Sequence, residues 1–327
     1  MTLEEFLSVW HGESPVMEVC TSGSTGTPKP ILVEKERMRA SARMTCRFLG
    51  LHRGDTALLC MPLEYIAGRM MVVRSLEWGL RLLEVEPSGH PLSEENLSAI
   101  GMPGRIDFAA MVPLQVWNTL QVPSEREALC RVGCLIIGGG AISAPLEEAL
   151  RELPVRVWST YGMTETLSHV ALRCIPERGY LPLPGVSLAQ DVDGCLVIEA
   201  PALCAKPLVT NDIVRFIGGG RFEVVGRRDN TICSGGIKIQ PEEVEAWLEA
   251  QGVKGVMVTY RPDVRLGQAV VWLCTEYVDT SRLTPPASGH GSRYWLPRHV
   301  VHVASLPLTP TGKPDRAKAR LLALGRE

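Results

Sequence analysis

Apolar residues return at helical spacing along "ILVEKERMRASARMTCRFLG", where Met38, Ala42, Thr45 and Leu49 line one side and Gly50 supplies a stop. The run "TALLC" that follows is short and continuously apolar, the pattern of a buried strand. Past "MPLEYIAG" the chain predicts a second helix over "RMMVVRSLEW", with Gly79 ending it. "RLLEV", "IDFAAMV" and "CLIIGG" are further compact apolar runs with helical segments between them. One such segment covers Pro145 to Leu153, with Ser143 placed to cap it. Strands alternating with helices point to an α/β layer architecture.

Beyond about residue 180 the pattern changes. "GCLVIEA", "DIVRFIGGGRFEVVGR" and "TICSGG" are short strand candidates separated by turn residues. "QPEEVEAWLEAQG" then starts a helix: Pro241 suits the first turn, Glu242 and Glu243 favour its positive end, and Val244, Trp247, Leu248 and Gln251 line one side. "GVMVTY", "AVVWLC" and "HVVHVAS" predict three more strands around a Pro-, Gly- and Ser-rich loop at 280–295. The last hundred or so residues therefore read as a small α+β domain.

At 327 residues the chain is long enough for a sizeable core and one or two domains. A net charge of -2 excludes a general electrostatic pull toward nucleic acid or an anionic membrane. No apolar run reaches the roughly 20 residues a membrane helix needs, and "MTLEEFLSVWHGESP" lacks the basic flank and apolar core of a secretory signal. The ten cysteines are scattered through apolar contexts, as buried thiols of a reducing compartment are, so a cytoplasmic location is expected. Cys130 and Cys134 bracket "RVG" without the second pair that a zinc site requires.

Five patches carry candidate chemistry. "CTSGSTGTPKP" offers glycines that let backbone amides turn toward an anion, with hydroxyls and an ammonium as further donors. It matches neither GxxxxGK[ST] nor GxGxxG, and a solvent-exposed turn has the same composition. "WSTYGMTET" follows the strand candidate "VRVW", so its polar groups fall near a strand end, where α/β proteins bind ligands; a strand-to-helix turn capped by Thr164 or Thr166 is the plainer alternative. "IIGGGAI" permits close backbone approach, "VTNDIVRF" offers Asp212 to a pair of ribose hydroxyls, and "VVGRRDNTICSGG" brings Arg227. "LPLTPTGKPDR" holds Lys313 in a loop.

Taken together and in this order, these patches resemble the adenylate-forming acyl-CoA synthetase, peptide-synthetase adenylation and luciferase superfamily. "TSGSTGTPK" resembles its phosphate loop, "YGMTET" its adenine and magnesium motif, "ND" its ribose motif, "GRRDNTICSGGIKIQPEEVE" its domain junction and "PLTPTGKPDR" its catalytic-lysine motif. The resemblance implies that Thr21, Ser22, Gly23, Ser24, Thr25, Gly26 and Lys29 cradle the ATP β- and γ-phosphates. Gly139, Gly140 and Ala141 would border the adenine pocket, with Tyr161 and Gly162 at the base and Thr164 near phosphate. Glu165 would bind Mg²⁺, Asp212 the ribose, and Arg227 the ribose or α-phosphate. Asp229 would be the hinge between a large domain, 1–228, and a small mobile one, 229–327, whose Lys313 reaches the α-phosphate during adenylation.

The implied reaction makes an acyl-adenylate from ATP and a small carboxylic acid, then transfers the acyl group to CoA. "MPLEYIAGRMMVVRSLEWG" resembles the corresponding region of the o-succinylbenzoate-CoA ligases of menaquinone synthesis, which nominates Tyr65 and Arg69, and secondarily Arg74, as substrate contacts. Glu64-Tyr65 stands where that family more often has an aromatic-His pair, and Asn211 where a glycine is common. Members of the superfamily carry a longer region before the phosphate loop, so the resemblance implies a form lacking most of the amino-terminal subdomain. An enzyme for another aryl or acyl acid, transfer to a carrier protein, and a non-catalytic nucleotide-binding or interaction protein are the competing readings. A homo-oligomer is compatible with each.

Overall fold

The computed structural model describes residues 1–20, 30–286, 292–309 and 312–325. Thr2 opens α1 (Leu3–His11) with a reciprocal cap: Glu5 N–H donates to Thr2 Oγ1 at 3.2 Å, and Thr2 N–H to Glu5 Oε2 at 2.8 Å. β1 (Val16–Cys20) and β2 (Pro30–Glu34) pair antiparallel, with Cys20 opposite Pro30. α2 (Lys35–Leu49) begins with a buried lysine, whose ammonium donates to the carbonyls of Val9 at 2.7 Å and Gly12 at 2.9 Å and so satisfies the end of α1.

Then follow β3 (Thr56–Leu59), α3 (Ile66–Trp78), β4 (Arg81–Glu84), α4 (Glu94–Ala99), β5 (Ile106–Met111), α5 (Pro113–Gln121) and α6 (Pro123–Cys130). β6 (Val132–Ile137), α7 (Ala144–Arg151), β7 (Arg156–Gly162), β8 (His169–Cys174) and β9 (Leu181–Pro182) continue the same layer. Their seven-stranded sheet has the order β4-β3-β5-β6-β7-β8-β9; β4 through β7 run parallel, and β8 and β9 add antiparallel. Every residue of β3 is buried, which is why "TALLC" shows no alternation. α3 is buried continuously from Gly68 to Ser75, so its apolar residues do not keep to one stripe. Gly50 and Gly79 end α2 and α3 in left-handed conformations, φ 68° and 70°.

β10 (Ser187–Gln190), β11 (Cys195–Glu199), β12 (Leu208–Phe216) and β13 (Phe222–Arg227) form a four-stranded sheet in chain order. The last region comprises β14 (Ile232–Ser234), β15 (Ile237–Ile239), α8 (Pro241–Ala250), β16 (Val256–Asp263), β17 (Gly267–Cys274), β18 (His299–His302) and α9 (Arg316–Ala323). Its sheet has the order β15-β14-β17-β16, with β18 paired to β17. Successive residues of β17 feed opposite cores. Val270 and Trp272 join Val244 and Leu248 of α8, whereas Val271 and Leu273 join Ala319 and Ala323 of α9. A strand sandwiched by two helices has no polar face, and "AVVWLC" is apolar throughout for that reason.

Contacts divide the chain into two compact units. One comprises Met1–Ala189, Val197–Leu208 and Phe216–Glu223; the other comprises Gln190–Leu196, Val209–Arg215 and Val224–Glu327. Three local details differ from expectation. The strand expected over "VRVW" continues to Gly162. Ser143 occupies the N-cap of α7 without a side-chain bond. α8 stops at Ala250, leaving Gln251 exposed beyond it. Among the described residues no helix is long and apolar enough to cross a membrane, and every cysteine whose side chain is described is a free thiol.

Candidate functional site

In the first unit the motifs collect at one edge of the parallel sheet. β3, β5, β6 and β7 end there, and carboxyl ends of parallel strands are where open α/β sheets take ligands. Gly138, Gly139 and Gly140 leave the end of β6. A Cβ on Gly138 would lie 2.5 Å from Thr160 Oγ1, and Gly139 has φ 82°, so both positions require glycine. Gly140 and the neighbouring Ala141 are exposed.

β7 and β8 shift register between Tyr161 and Gly162. This bulge lets the chain fold back on itself, and a Cβ on Gly162 would meet His169 Cα at 2.5 Å and collide with the Ser168 carbonyl. A 3₁₀ turn, Thr164–Thr166, follows. Thr166 Oγ1 accepts from Met163 N–H at 3.0 Å and donates toward the Ser168 carbonyl at 2.7 Å. Leu167 is held at φ 66°, a strained conformation for a branched side chain and a common mark of functional turns. The turn buries Thr164 and exposes Glu165, whose carboxylate has no hydrogen bond or ion pair among the described residues. Tyr161 is buried among aromatic rings, edge-on to Phe222 at 5.1 Å and tilted on Tyr180 at 5.9 Å.

The end of β3 leads to the candidate substrate segment. Tyr65 is exposed at the N-cap of α3. Arg69 is buried, and its guanidinium donates to the carbonyls of Leu63, at 2.7 Å, and Glu18. Arg74 is the more unusual residue. It is 2% exposed, donates from Nη2 to Ser168 Oγ at 2.6 Å, and has no carboxylate partner among the described residues; its Nε is unpaired there. Burial pulls its pKa down to about 10. Ser168 also lies 3.3 Å from His169 Nδ1, and His169 Nε2 lies 3.0 Å from Thr45 Oγ1. Donation from Arg74 to Ser168 leaves the serine hydroxyl to donate to Nδ1, which makes Nε2 the imidazole donor. Burial, reinforced by Arg74, holds His169 neutral with a pKa well below the usual histidine range.

In the second unit the site is a network of charges. Asp212, on β12 and nearly buried, accepts from Arg227 Nη1 at 3.0 Å. Arg227 Nη2 donates to Asp229 Oδ2 at 3.0 Å, and Asn211 Nδ2 donates to the same oxygen at 3.1 Å. Arg228 in turn donates to Asn211 Oδ1 at 2.6 Å. β13 delivers Arg227, and the 3₁₀ turn Arg228–Asn230 delivers Asp229. Lys313 is half-buried and has no carboxylate partner among the described residues; burial, and then the Arg227 cation, lower its pKa. The structure thus brings Asp212, Arg227, Asp229 and Lys313 together.

Thr21, Ser22, Gly23, Ser24, Thr25, Gly26 and Lys29 lie outside the described residues. Sequence reasoning passed over Thr45, Ser168 and His169, and it put Arg69 ahead of Arg74. The available signal was a lone arginine inside "MMVVRS", where a surface residue would not be expected.

Comparison with known proteins shows which family the chain resembles along its length. The AMP-binding enzyme family model matches residues 7–197. A probable 2-succinylbenzoate–CoA ligase of Mycobacterium tuberculosis is 32% identical over 91% of this chain and 82% of its own length. An acyl-CoA synthetase (AMP-forming)/AMP-acid ligase II-like protein from Dyadobacter fermentans is 34% identical in its crystal structure, with a TM-score of 0.64, covering 98% of this chain and 93% of that one. Escherichia coli MenE, solved with a phenylether-linked analogue of OSB-AMS, is 25% identical with a TM-score of 0.75, covering 96% and 71% respectively.

Proposed function

Because the chain belongs to the AMP-binding enzyme family, we propose that it is an acid–CoA ligase acting on o-succinylbenzoate. A carboxylate oxygen attacks the α-phosphorus of ATP, giving acyl-AMP and pyrophosphate. The CoA sulfur then attacks the acyl carbon of the mixed anhydride, and AMP leaves with its bonding electron pair as the thiol proton is released. The observation that carries this reading is the cluster of Asp212, Arg227 and Lys313, a ribose acceptor beside two cations. Arg227 is balanced by Asp212 and Asp229, whereas Lys313 has no carboxylate partner among the described residues, so an α-phosphate placed against its ammonium is stabilised as negative charge builds during attack.

The other roles follow from residue chemistry. Arg227 keeps the Asp212 carboxylate oriented for the ribose hydroxyls. Thr164 and the backbone of the strained turn face phosphate, Gly139, Gly140, Ala141, Tyr161 and Gly162 line the base, and residues 21–29 cradle the outer phosphates. Glu165 suits Mg²⁺, since an exposed carboxylate with no internal partner fits an ion that takes one or two protein oxygens and completes its shell with phosphate and water. When bound, that ion supplies charge neutralisation on the polyphosphate. Asp229 is the pivot between functional domains 1–228 and 229–327, held by Arg227 and Asn211 until the small domain turns. A cytoplasmic location fits the free thiols and the use of ATP and CoA.

The substrate is a dicarboxylate, so one carboxylate remains after activation and calls for a cation. Arg74 fits that role better than Arg69, because the Arg69 guanidinium is engaged with two backbone carbonyls. Tyr65, exposed ahead of α3, borders the acid. The direct test incubates the protein with ATP, Mg²⁺, CoA and a panel of acids and reads the products by mass spectrometry. The expected product is o-succinylbenzoyl-CoA with equimolar AMP and pyrophosphate. Preference for another acid would overturn the substrate, and absence of AMP with every acid would overturn the enzyme class.

A further inference from the structure

Lys313 sits in a tightly closed hairpin. Leu308 and Pro314 form an antiparallel bridge, Thr309 N–H donates to the Lys313 carbonyl at 2.7 Å, and Asp315 N–H donates to the Pro307 carbonyl at 2.9 Å. The hairpin runs directly into α9, which Asp315 caps by accepting from Lys318 N–H at 2.9 Å. Arg316 is the first residue of that helix. A helix N-terminus favours anions, yet the first turn of α9 contains no acidic residue and carries both Arg316 and Lys318. A local rule broken in this way points to a gain made elsewhere.

That gain is visible in the contacts of the guanidinium. Arg316 forms a two-pronged ion pair with Glu245 of α8, Nη1 to Oε1 at 2.6 Å and Nη2 to Oε2 at 2.7 Å. The same pair grips the outer edge of β16, the last strand of its sheet: Val258 N–H donates to Glu245 Oε1 at 2.7 Å, and Arg316 Nη1 donates to the Val258 carbonyl at 3.1 Å. Arg316 Nη2 lies 3.5 Å from Glu242 Oε1, which also accepts from Asn230 Nδ2 at 2.6 Å. One carboxylate therefore links the base of the Lys313 hairpin to the turn that holds Asp229.

We propose that Arg316 is a positioning residue: by clamping the start of α9 to Glu245 and Val258, and reaching Asn230 through Glu242, it sets where Lys313 stands when the α-phosphate is attacked. This rests on the role given to Lys313 above. Buried ion pairs contribute little net stability, because desolvation offsets their attraction, so the value of this pair lies in the geometry it sets. Burial pushes the Glu245 carboxyl above its ordinary range even beside Arg316, so the pair is kept against an electrostatic cost.

The test is a double-mutant cycle on the full chain, reading pyrophosphate release with o-succinylbenzoate and, separately, thioester formation from synthetic acyl-adenylate and CoA. Arg316→Gln lowers the adenylation kcat by about 10- to 100-fold, the loss expected from a displacement on the order of 1 Å, with little change in the ATP KM and in the thioester half-reaction. In the Lys313→Ala background the same substitution costs less than about twofold, because its effect passes through the lysine. If Arg316→Gln does not fold, Arg316→Lys, which keeps the charge but loses the fork, carries the same cycle. Additive losses, or equal loss of both half-reactions, overturn the positioning role while leaving the ligase reading intact. An adenylation rate indifferent to Lys313→Ala overturns the assignment of Lys313, and this proposal with it.

Discussion

The candidate residues of the two units are held by different means. At the sheet edge of the first unit, backbone geometry does most of the shaping: a bulge at Tyr161–Gly162, a left-handed Leu167 and glycines that no other residue replaces without collision. In the second unit, side-chain charge does it, through Asp212, Arg227, Asp229 and Lys313. Backbone turns resist displacement because moving them breaks packing. Charged side chains on loops and strand ends can be redirected with little repacking, which suits the role proposed for Lys313 in one half-reaction and not the other. The same contrast holds for the buried polar groups, a neutral relay through Ser168, His169 and Thr45 in one unit and the Arg316–Glu245 clamp in the other.

The sharpest break of this comparison is Lys313→Ala. It lowers adenylation by about 100- to 1,000-fold, as loss of one transition-state donor does, and leaves melting temperature and the thioester half-reaction close to wild type. Stopped-flow pyrophosphate release and acyl-adenylate turnover check both arms. Gly162→Ala does the reverse: the added methyl meets His169 and Ser168, costs about 1–3 kcal/mol of stability in denaturant titration, and weakens nucleotide binding as a consequence. Gly140→Ala, where the nearest atom is 3.7 Å away, stays within about 0.5 kcal/mol and serves as the control.

Arg74→Lys probes the substrate side. Losing the planar fork raises the KM for o-succinylbenzoate about tenfold while the ATP KM holds, and steady-state kinetics at saturating CoA separate the two. The smallest effect is on pH. An unfolded chain protonates its histidine below about pH 6.5, whereas folded His169 stays neutral, so stability is retained above that pH and falls below it. The slope is at most about 1.4 kcal/mol per pH unit, and His169→Gln flattens that part of the dependence in melting curves recorded from pH 7 down to pH 5.

Much of this molecule can be read along the chain because its signals are local. Gly50 and Gly79 stop helices through their own φ, and "TALLC" and "CLIIGG" are strands because parallel strands bury both faces. The nucleotide motifs are local as well, so Asp212, Arg227 and Lys313 could be nominated from short stretches. What could not be read was which arginine near α3 has its guanidinium taken up by backbone carbonyls. Arg69 and Arg74 share one helix and one charge, and their difference comes from Leu63 and Glu18 around the first and Ser168 around the second.

Sequence alone determined the alternation of strands and helices, the glycine stops at Gly50 and Gly79 and the identity of the charged groups, since each depends on a residue and its near neighbours. Only tertiary structure decided that Lys313 stands beside Arg227, that Arg316 is clamped between α8 and β16, and that His169 is kept neutral. These are electrostatic facts, set by distance and burial among residues far apart along the chain.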